Sequence, residues 1–358
     1  MILLKVLRLL LLFVAAAIIS YGLDALGMIL PWLFGSMIAT IIYIRLIPRA
    51  LYFPRWLGDL GVFIMAIEIG STLTLDALAD MRADLFNIFL MTILVLILSL
   101  ILSRLFIFLT KSTPETAVLA SVPGALSQML IMAEEEERAD ILLVTLTQMS
   151  RIILIVLIVP FVSGLFQPVS DLTADPVEVN YLTEIFSLPM LIIPIAAVVL
   201  IYLLNKINFP ASLMLGPIIV LIVWNLTTGV EFSLDLQFIN AAQILFGIRI
   251  GLQIASLMTQ LNKRLIFSIM LQNLILIFGT MFIVYMFQLF TSHQFNDLFL
   301  SAAPGGLGQI IVIAIETGGN IAMISSYHIF RIFFIIIVVV PIVGYYLKYL
   351  NRKRKRQS

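Results

Sequence analysis

Pro123-Gly124-Ala125-Leu126-Ser127-Gln128 returns later in the chain as Pro304-Gly305-Gly306-Leu307-Gly308-Gln309. The second copy stands 181 positions after the first (304 − 123), and the flanking sequence repeats with the same displacement. The other anchors are Gly35 with Gly216, Glu68 with Arg249, and Gly70 with Gly251. A displacement that stays constant over so long a stretch predicts a tandem duplication, which in membrane proteins is typical of two-fold pseudo-symmetric transporters.

Composition indicates that most of the chain lies in lipid. Of its 358 residues, 62% are hydrophobic and 11% are charged, and the mean hydropathy is +1.14. An ordinary soluble domain is about a quarter charged. The apolar run Leu9–Ile19 follows Lys5 and Arg8. A cleaved signal peptide is one interpretation, but the next apolar segment follows within a few residues, which favours a first membrane span.

The sequence offers few ligands for metal or redox chemistry. There is no Cys, and the two His residues, His293 and His328, stand apart in the sequence. Disulfides, thiolate metal sites and iron–sulfur clusters are therefore excluded, and little is left for a histidine-rich copper or iron site. We predict no cofactor, no metal and no catalytic residue. We expect His293, in a polar loop, to be solvated.

Each half of the chain carries six apolar segments, and the fifth differs from its neighbours. The fifth segments, Thr116–Ala133 and Leu298–Ile315, have a Pro-Gly pair inside them and fewer Leu and Ile residues. Proline removes a backbone donor and glycine loosens the chain. In hydrocarbon, broken backbone persists only where protein or a watery cavity satisfies it. The pattern therefore predicts a re-entrant or discontinuous fifth segment, while the other segments come near the 20 or so apolar residues that a span needs.

The distribution of charge indicates how often the chain crosses the membrane. Five crossings per half would place Lys263-Arg264 and the Arg352–Arg356 run inside, and the acidic stretch from Asp171 to Glu184 outside. Basic loops stay on the cytoplasmic side, whereas twelve full crossings would place the acidic stretch inside and Lys263-Arg264 outside. The predicted fold is therefore an all-α polytopic membrane protein of two inverted repeats of about five transmembrane helices, with both termini in the cytoplasm.

The predicted parts of the chain follow from this topology. They are a first membrane repeat (1–165), an acidic extracytoplasmic linker (166–187), a second membrane repeat (188–350) and a basic cytoplasmic tail (351–358).

Two arginines lie near the middle of apolar segments. Arg151 and Arg331 follow their Pro-Gly elements by nearly the same distance, and each has a polar residue three positions earlier, Gln148 or His328. A guanidinium at the bilayer centre costs about 2.5–3.5 kcal/mol on insertion scales, so it should face protein or water. The i, i+3 spacing puts each pair on one helix face. Either each Arg ties down the broken segment through its carbonyls, or the two Arg form cationic walls of an anion-binding cavity.

The Pro-Gly elements are the best candidates for a binding site. Half-helix ends near the membrane midplane offer N–H groups to an anion or carbonyls to a cation. The candidate substrate-binding residues are Pro123, Gly124, Ser127, Gln128, Arg151, Pro304, Gly305, Gly306, Gln309, His328 and Arg331.

Glu68 and Arg249 occupy equivalent positions in the third segments. They form either a buried structural ion pair at the repeat interface or a site at which Glu68 couples to a proton or cation. Gly70 and Gly251, two residues further on, are suited to close approach between helices.

The two Pro-Gly elements, each followed by a span with an intramembrane Arg, resemble the AbrB family of duplicated bacterial membrane proteins. Pro31-Trp32-Leu33-Phe34-Gly35 and His328-x-x-Arg331 are similar to further family motifs. Members are often labelled ammonia monooxygenases or AbrB-type regulators. The resemblance implies kinship with the cation/proton antiporter and anion transporter fold group, and a location in the bacterial cytoplasmic membrane. Family members commonly carry Glu where this chain has Gln128 and Gln309, so proton coupling would fall elsewhere or be absent.

The leading hypothesis is a secondary transporter, not an enzyme, for a small solute bound between the repeats, and the pair of arginines favours an anionic solute. A membrane sensor that affects gene expression indirectly is the alternative, and a monooxygenase is the least favoured. The expected partners are the lipid bilayer and the solute, with a homo-oligomer left open. Nucleic acid is not expected, because the sequence has no basic soluble DNA-binding domain.

Overall fold

The computed structural model describes residues 2–47, 53–124, 126–166, 188–207, 209, 211–229, 232, 234–260 and 263–355. Within these ranges the regular structure is entirely helical. The first eight helices are α1 (Ile2–Ala25), α2 (Pro31–Leu46), α3 (Arg55–Ser71), α4 (Leu75–Ala83), α5 (Leu85–Thr110), α6 (Pro114–Ser121), α7 (Leu126–Glu135) and α8 (Ile141–Leu165). The others are α9 (Leu188–Lys206), α10 (Ser212–Thr228), α11 (Leu236–Gln260), α12 (Lys263–Gln288), α13 (Phe295–Ala302), α14 (Leu307–Glu316), α15 (Ile321–Phe334) and α16 (Val340–Lys355), with a π-helical turn, Ile335–Val339, between the last two.

Six helical stretches are long and apolar enough to cross a membrane, judged by length and composition among the described residues. The longest uninterrupted ones, α5 and α12, have 26 residues each, and at about 1.5 Å per residue they exceed the roughly 30 Å of bilayer hydrocarbon. The six are Val6–Ala25, Leu85–Thr110, Ile141–Leu165, Leu236–Ser256, Arg264–Gln288 and Ile321–Leu350. The prediction of an all-α membrane protein is confirmed at this level; the inversion of the two repeats stays a prediction.

Both fifth segments are interrupted where the sequence predicts it. α6 ends at Ser121 and α7 begins at Leu126, while α13 ends at Ala302 and α14 begins at Leu307. Gly124 has a φ of +87°, a conformation that side chains with a Cβ rarely adopt. The proline before each glycine also lacks the N–H that would continue the helix. Whether the chain reverses direction at each interruption stays a prediction.

The described helices form two compact units, and each unit takes helices from both halves of the sequence. The first unit contains α1 to α3 with α9, α10 and most of α11, together with Ile315–Ala322. The second contains α5 to α8 with α12, α13, most of α14, and residues 323–355. The repeat boundaries at 1–165 and 188–350 remain predictions about the duplication. The linker from Gln167 to Ser187 and the end of the tail lie outside the described residues.

Close glycine contacts hold the first unit together. A Cβ added at Gly70 would lie 2.8 Å from Cβ of Leu221, so α3 packs tightly on α10. A Cβ at Gly251 would lie 2.7 Å from Cβ of Thr40, so α11 packs tightly on α2. Asn225 adds hydrogen bonds to the carbonyls at the end of α3. The two predicted close approaches are confirmed, and each joins a helix of one half to a helix of the other.

Two arginine-capped helix interruptions

Both intramembrane arginines lie in the second unit, and both are buried. Arg151 is 1% exposed and Arg331 is 3% exposed. α8 carries the first and α15 the second, each beside the short helix that precedes an interruption. The four last carbonyls of a helix have no partner inside it and carry partial negative charge, so a cation placed there stabilises the helix end.

Arg151 caps α6 together with Gln148. Its Nη2 donates to the carbonyl of Ala120 at 2.7 Å, and its Nη1 donates to the carbonyl of Val122 at 3.2 Å. Gln148 Nε2 donates to the carbonyls of Leu119 and Val122, at 3.0 and 2.9 Å. Gln148 Oε1 in turn accepts from Arg151 Nη1 at 3.3 Å. The two side chains thus act as one cap.

α12 completes this first interruption. Arg151 Nε donates to Asn273 Oδ1 at 3.3 Å, and Asn273 Nδ2 donates to the carbonyl of Thr147 at 3.3 Å. The neighbouring Gln272 donates through Nε2 to Ser121 Oγ at 2.8 Å. Each of the three guanidinium nitrogens of Arg151 therefore has a hydrogen-bond acceptor.

Arg331 caps α13 in the same way, with His328 in the place of Gln148. Its Nη1 donates to the carbonyl of Ala303 at 2.9 Å, and its Nη2 donates to the carbonyl of Gly305 at 3.1 Å and to His328 Nδ1 at 2.7 Å. His328 Nε2 lies 2.9 Å from the carbonyl of Leu300. Because Nδ1 accepts and Nε2 faces a carbonyl, this network assigns the neutral tautomer with its proton on Nε2.

The glycines of the two interruptions have reciprocal surroundings. A Cβ added at Gly124 would lie 3.4 Å from Arg331 Nε and 3.3 Å from Cδ1 of Ile335. A Cβ added at Gly305 would lie 3.2 Å from Cγ2 of Ile155. Ile155 and Ile335 stand four residues after the arginines of their respective halves. Each glycine therefore packs against the arginine-bearing helix of the opposite half.

The other predicted site residues have varied surroundings. Pro123, Pro304 and Gly305 are buried, and Gln128 and Gln309 are partly buried. A Cβ at Gly306 would collide with Gln309 Oε1, so this amide folds back over the interruption. The side chain of Ser127 lies outside the described residues. The contacts of both arginines are to helix-end carbonyls, as in the first of the two interpretations, and a substrate-binding role for any of these residues stays a prediction.

The expected ion pair between Glu68 and Arg249 is corrected by the structure. Arg249 Nη1 lies 3.4 Å from Asp59 Oδ1, with both side chains nearly half exposed. Glu68 Oε2 instead accepts a hydrogen bond of 3.4 Å from the N–H of Leu234. Equivalent positions in a duplicated chain need not touch, because each packs against its own neighbours. A coupling role for Glu68 stays a prediction.

Sequence reasoning missed a polar cluster at the start of α5. Tyr327 Oη donates to Asp84 Oδ2 at 2.5 Å, and Asn87 Nδ2 donates to Asp84 Oδ1 at 2.5 Å. His293 Nε2 lies 3.2 Å from Asp84 Oδ1, so this histidine has a carboxylate partner although we expected solvation alone. Asn273 was also missed, although an amide inside an apolar span is a signal that could have found it.

Two buried arginines that cap interrupted segments, among described residues whose regular structure is helical and includes six apolar stretches of membrane-spanning length, are the features of a polytopic membrane protein. The family described as "Transition state regulatory protein AbrB" matches residues 32–347, and the chain belongs to it. A relative in Bacillus subtilis (strain 168), described as "Uncharacterized protein YhjN", is 24% identical over 342 residues, which cover 90% of this chain and 88% of that protein. No solved structure matches the chain.

Proposed function

We propose that the protein is a secondary transporter of a small anionic solute, which binds beside the two interruptions, between the repeats. The single observation that carries the proposal is the reciprocal contact of Gly124 and Gly305 with the arginine-bearing helix of the opposite half. Inverted-repeat transporters bind their solutes at such junctions of discontinuous helices near the midplane. The proposed setting is the bacterial cytoplasmic membrane, with both termini in the cytoplasm.

The charge balance at the interruptions favours an anion. Arg151 and Arg331 are buried, and neither forms a salt bridge among the described residues. The carbonyl ends of α6 and α13 contribute roughly half a negative charge each, which offsets only part of two guanidinium charges. The starts of α7 and α14 add positive dipole ends close to Gln128 and Gln309. A buried positive excess of this kind lowers the free energy of a bound anion.

A membrane sensor that binds the same solute without moving it is the second candidate. It is favoured by the description of the family as a transition state regulatory protein. As a sensor, the protein would influence gene expression indirectly, through a partner. Neither candidate assigns a catalytic residue or a cofactor.

Flux measurements on proteoliposomes test the proposal. We expect uptake of a radiolabelled small carboxylate or another small anion above that of empty liposomes, and a fall of at least about tenfold in Gln309→Ala, because one polar contact to a charged solute is lost. Gln309 is a better test residue than Arg331, whose removal uncaps α13. Gln237→Ala is the matched control, since Gln237 is exposed at the start of α11. Saturable binding without flux for every anion tested would favour the sensor.

A further inference from the structure

The two interruptions differ in how completely their arginines are hydrogen-bonded. Asn273 accepts from Nε of Arg151, whereas Nε of Arg331 has no acceptor. Ser301 Oγ, one residue before the carbonyl of Ala302 that Arg331 contacts, has no partner either. Both side chains are 3% exposed. Buried donors without partners are rare in proteins, and each raises the free energy of the folded state.

The repeat of the sequence shows which acceptor the second interruption lacks. The displacement of 181 places Thr92 on Asn273 and Ala120 on Ser301. Thr92, Ser301, Tyr327 and Arg331 line one narrow cavity, so Thr92 occupies the place from which Asn273 reaches the first arginine. A threonine side chain is shorter than asparagine and carries no carbonyl oxygen. The second half therefore has the Ser301 hydroxyl and the unpaired Nε–H of Arg331 at the position where the first half has the acceptor Asn273 Oδ1.

We propose that this cavity is the carboxylate subsite of the solute site, a proposal that rests on the transporter or sensor function above. One oxygen of the carboxylate accepts from Arg331 Nε and Ser301 Oγ, and thereby takes the place that Asn273 Oδ1 holds in the first half. The guanidinium has donors only, which excludes a cation, and a carboxylate oxygen can accept both bonds. The first interruption is then structural, and the second binds the solute.

Tyr327 closes the subsite. The cavity does not hold a water-sized sphere, so a ligand enters only when a wall side chain moves. Tyr327 is the wall residue whose hydroxyl reaches the polar cluster at Asp84, where the side chains of Asp84 and His293 are 14% and 32% exposed. Release of the hydrogen bond between Tyr327 and Asp84 would let the ring swing and open the cavity towards that cluster.

Formate binding to the full-length protein in nanodiscs tests the subsite, because formate carries a carboxylate and no further bulk. Calorimetric titration should show saturable binding to the wild type. Thr92→Asn should weaken it at least about tenfold, since the new amide oxygen competes for Arg331 Nε. Ser301→Ala, which copies Ala120 of the first half, should also weaken it. Thr92→Val, which has the shape of threonine without an acceptor, should bind formate within about threefold of the wild type.

The outcomes separate the subsite from the proposed function. Absence of saturable formate binding in the wild type, or wild-type affinity in Thr92→Asn, would overturn the subsite, and anion flux in the same preparations would leave the transporter standing. Loss of formate binding in Thr92→Asn without any anion flux in the wild type would support the subsite and overturn the transporter in favour of the sensor. A melting temperature of Thr92→Asn, without formate, that equals or exceeds that of the wild type shows that the variant is folded.

Discussion

The first and second interruptions are capped in the same way, but they differ in how many of their buried polar groups are hydrogen-bonded. In both, an arginine and the polar residue three positions before it cap a short helix through its last carbonyls. In the first, α12 supplies Asn273 and Gln272, and every nitrogen of Arg151 has an acceptor. In the second, Arg331 Nε and Ser301 Oγ remain unpaired. The two interruptions thus resemble each other in the capping of the short helix, and differences at a few polar positions leave unpaired donors only in the second.

This difference has a physical consequence for rigidity. A fully satisfied buried network favours one arrangement of its side chains, whereas an incomplete one gains free energy when a ligand supplies the missing acceptor. The first interruption is therefore suited to hold the unit in one conformation, and the second is suited to respond to a ligand.

Among these variants, we expect Arg151→Ala to lower the free energy of unfolding the most. The change leaves the carbonyl of Ala120 and the amide oxygen of Asn273 without the donor from Arg151, and it removes one of the two donors to the carbonyl of Val122. We expect a loss of about 3–5 kcal/mol in the free energy of unfolding. Arg331→Ala should cost about 1 kcal/mol less, because it also removes an unpaired Nε. Denaturant titration in detergent micelles, followed by circular dichroism, measures both. Equal losses in the two variants would contradict the asymmetry.

Reciprocal substitutions at Asn273 in α12 and at the corresponding Thr92 in α5 should give smaller effects, of opposite sign, on the free energy of unfolding. Asn273→Thr makes the first half like the second, and we expect a loss of about 1–3 kcal/mol as Arg151 Nε becomes unpaired. Thr92→Asn makes the second half like the first and should be neutral or stabilise by up to about 1 kcal/mol. The same titrations apply, with Thr92→Val as the control for side-chain volume. Destabilisation by Thr92→Asn would show that the cavity has no room for an amide.

We expect His328→Gln to change the free energy of unfolding the least, because it places in the second half the residue that Gln148 provides in the first. Glutamine can accept from Arg331 Nη2 and donate to the carbonyl of Leu300, as the neutral histidine does, so we expect a change below about 1 kcal/mol in the free energy of unfolding. His328→Ala removes both bonds and should cost about 1–3 kcal/mol. If His328→Gln proved as damaging as His328→Ala, then the ring itself, and not the pair of hydrogen bonds, would be what the second interruption needs.

Sequence alone predicted the two interruptions and the alignment of Gln148 and His328 with their arginines. Those features depend on local rules: proline lacks a donor, and residues three apart share a helix face. The pairing of Asn273 with Arg151 and the lack of a partner for Ser301 Oγ could not be predicted, because they depend on which helix packs beside each interruption. The same reason explains the error over Glu68 and Arg249, since the duplication shows which residues correspond but not which ones meet.

The π-helical turn Ile335–Val339 has a consequence for register. Gln309 stands 181 positions after Gln128, whereas Arg331 stands 180 after Arg151 (331 − 151), and Pro341 stands again 181 after Pro160 (341 − 160). Compared with the first half, the second half therefore has one residue fewer between Gln309 and Arg331 and one residue more between Arg331 and Pro341. The π-helical turn lies in this longer stretch, and its wider turn accommodates the extra peptide unit. Without that unit, everything from Val340 onward would be turned by about 100° around the helix axis, and the C-terminal helix would present a different side to its surroundings.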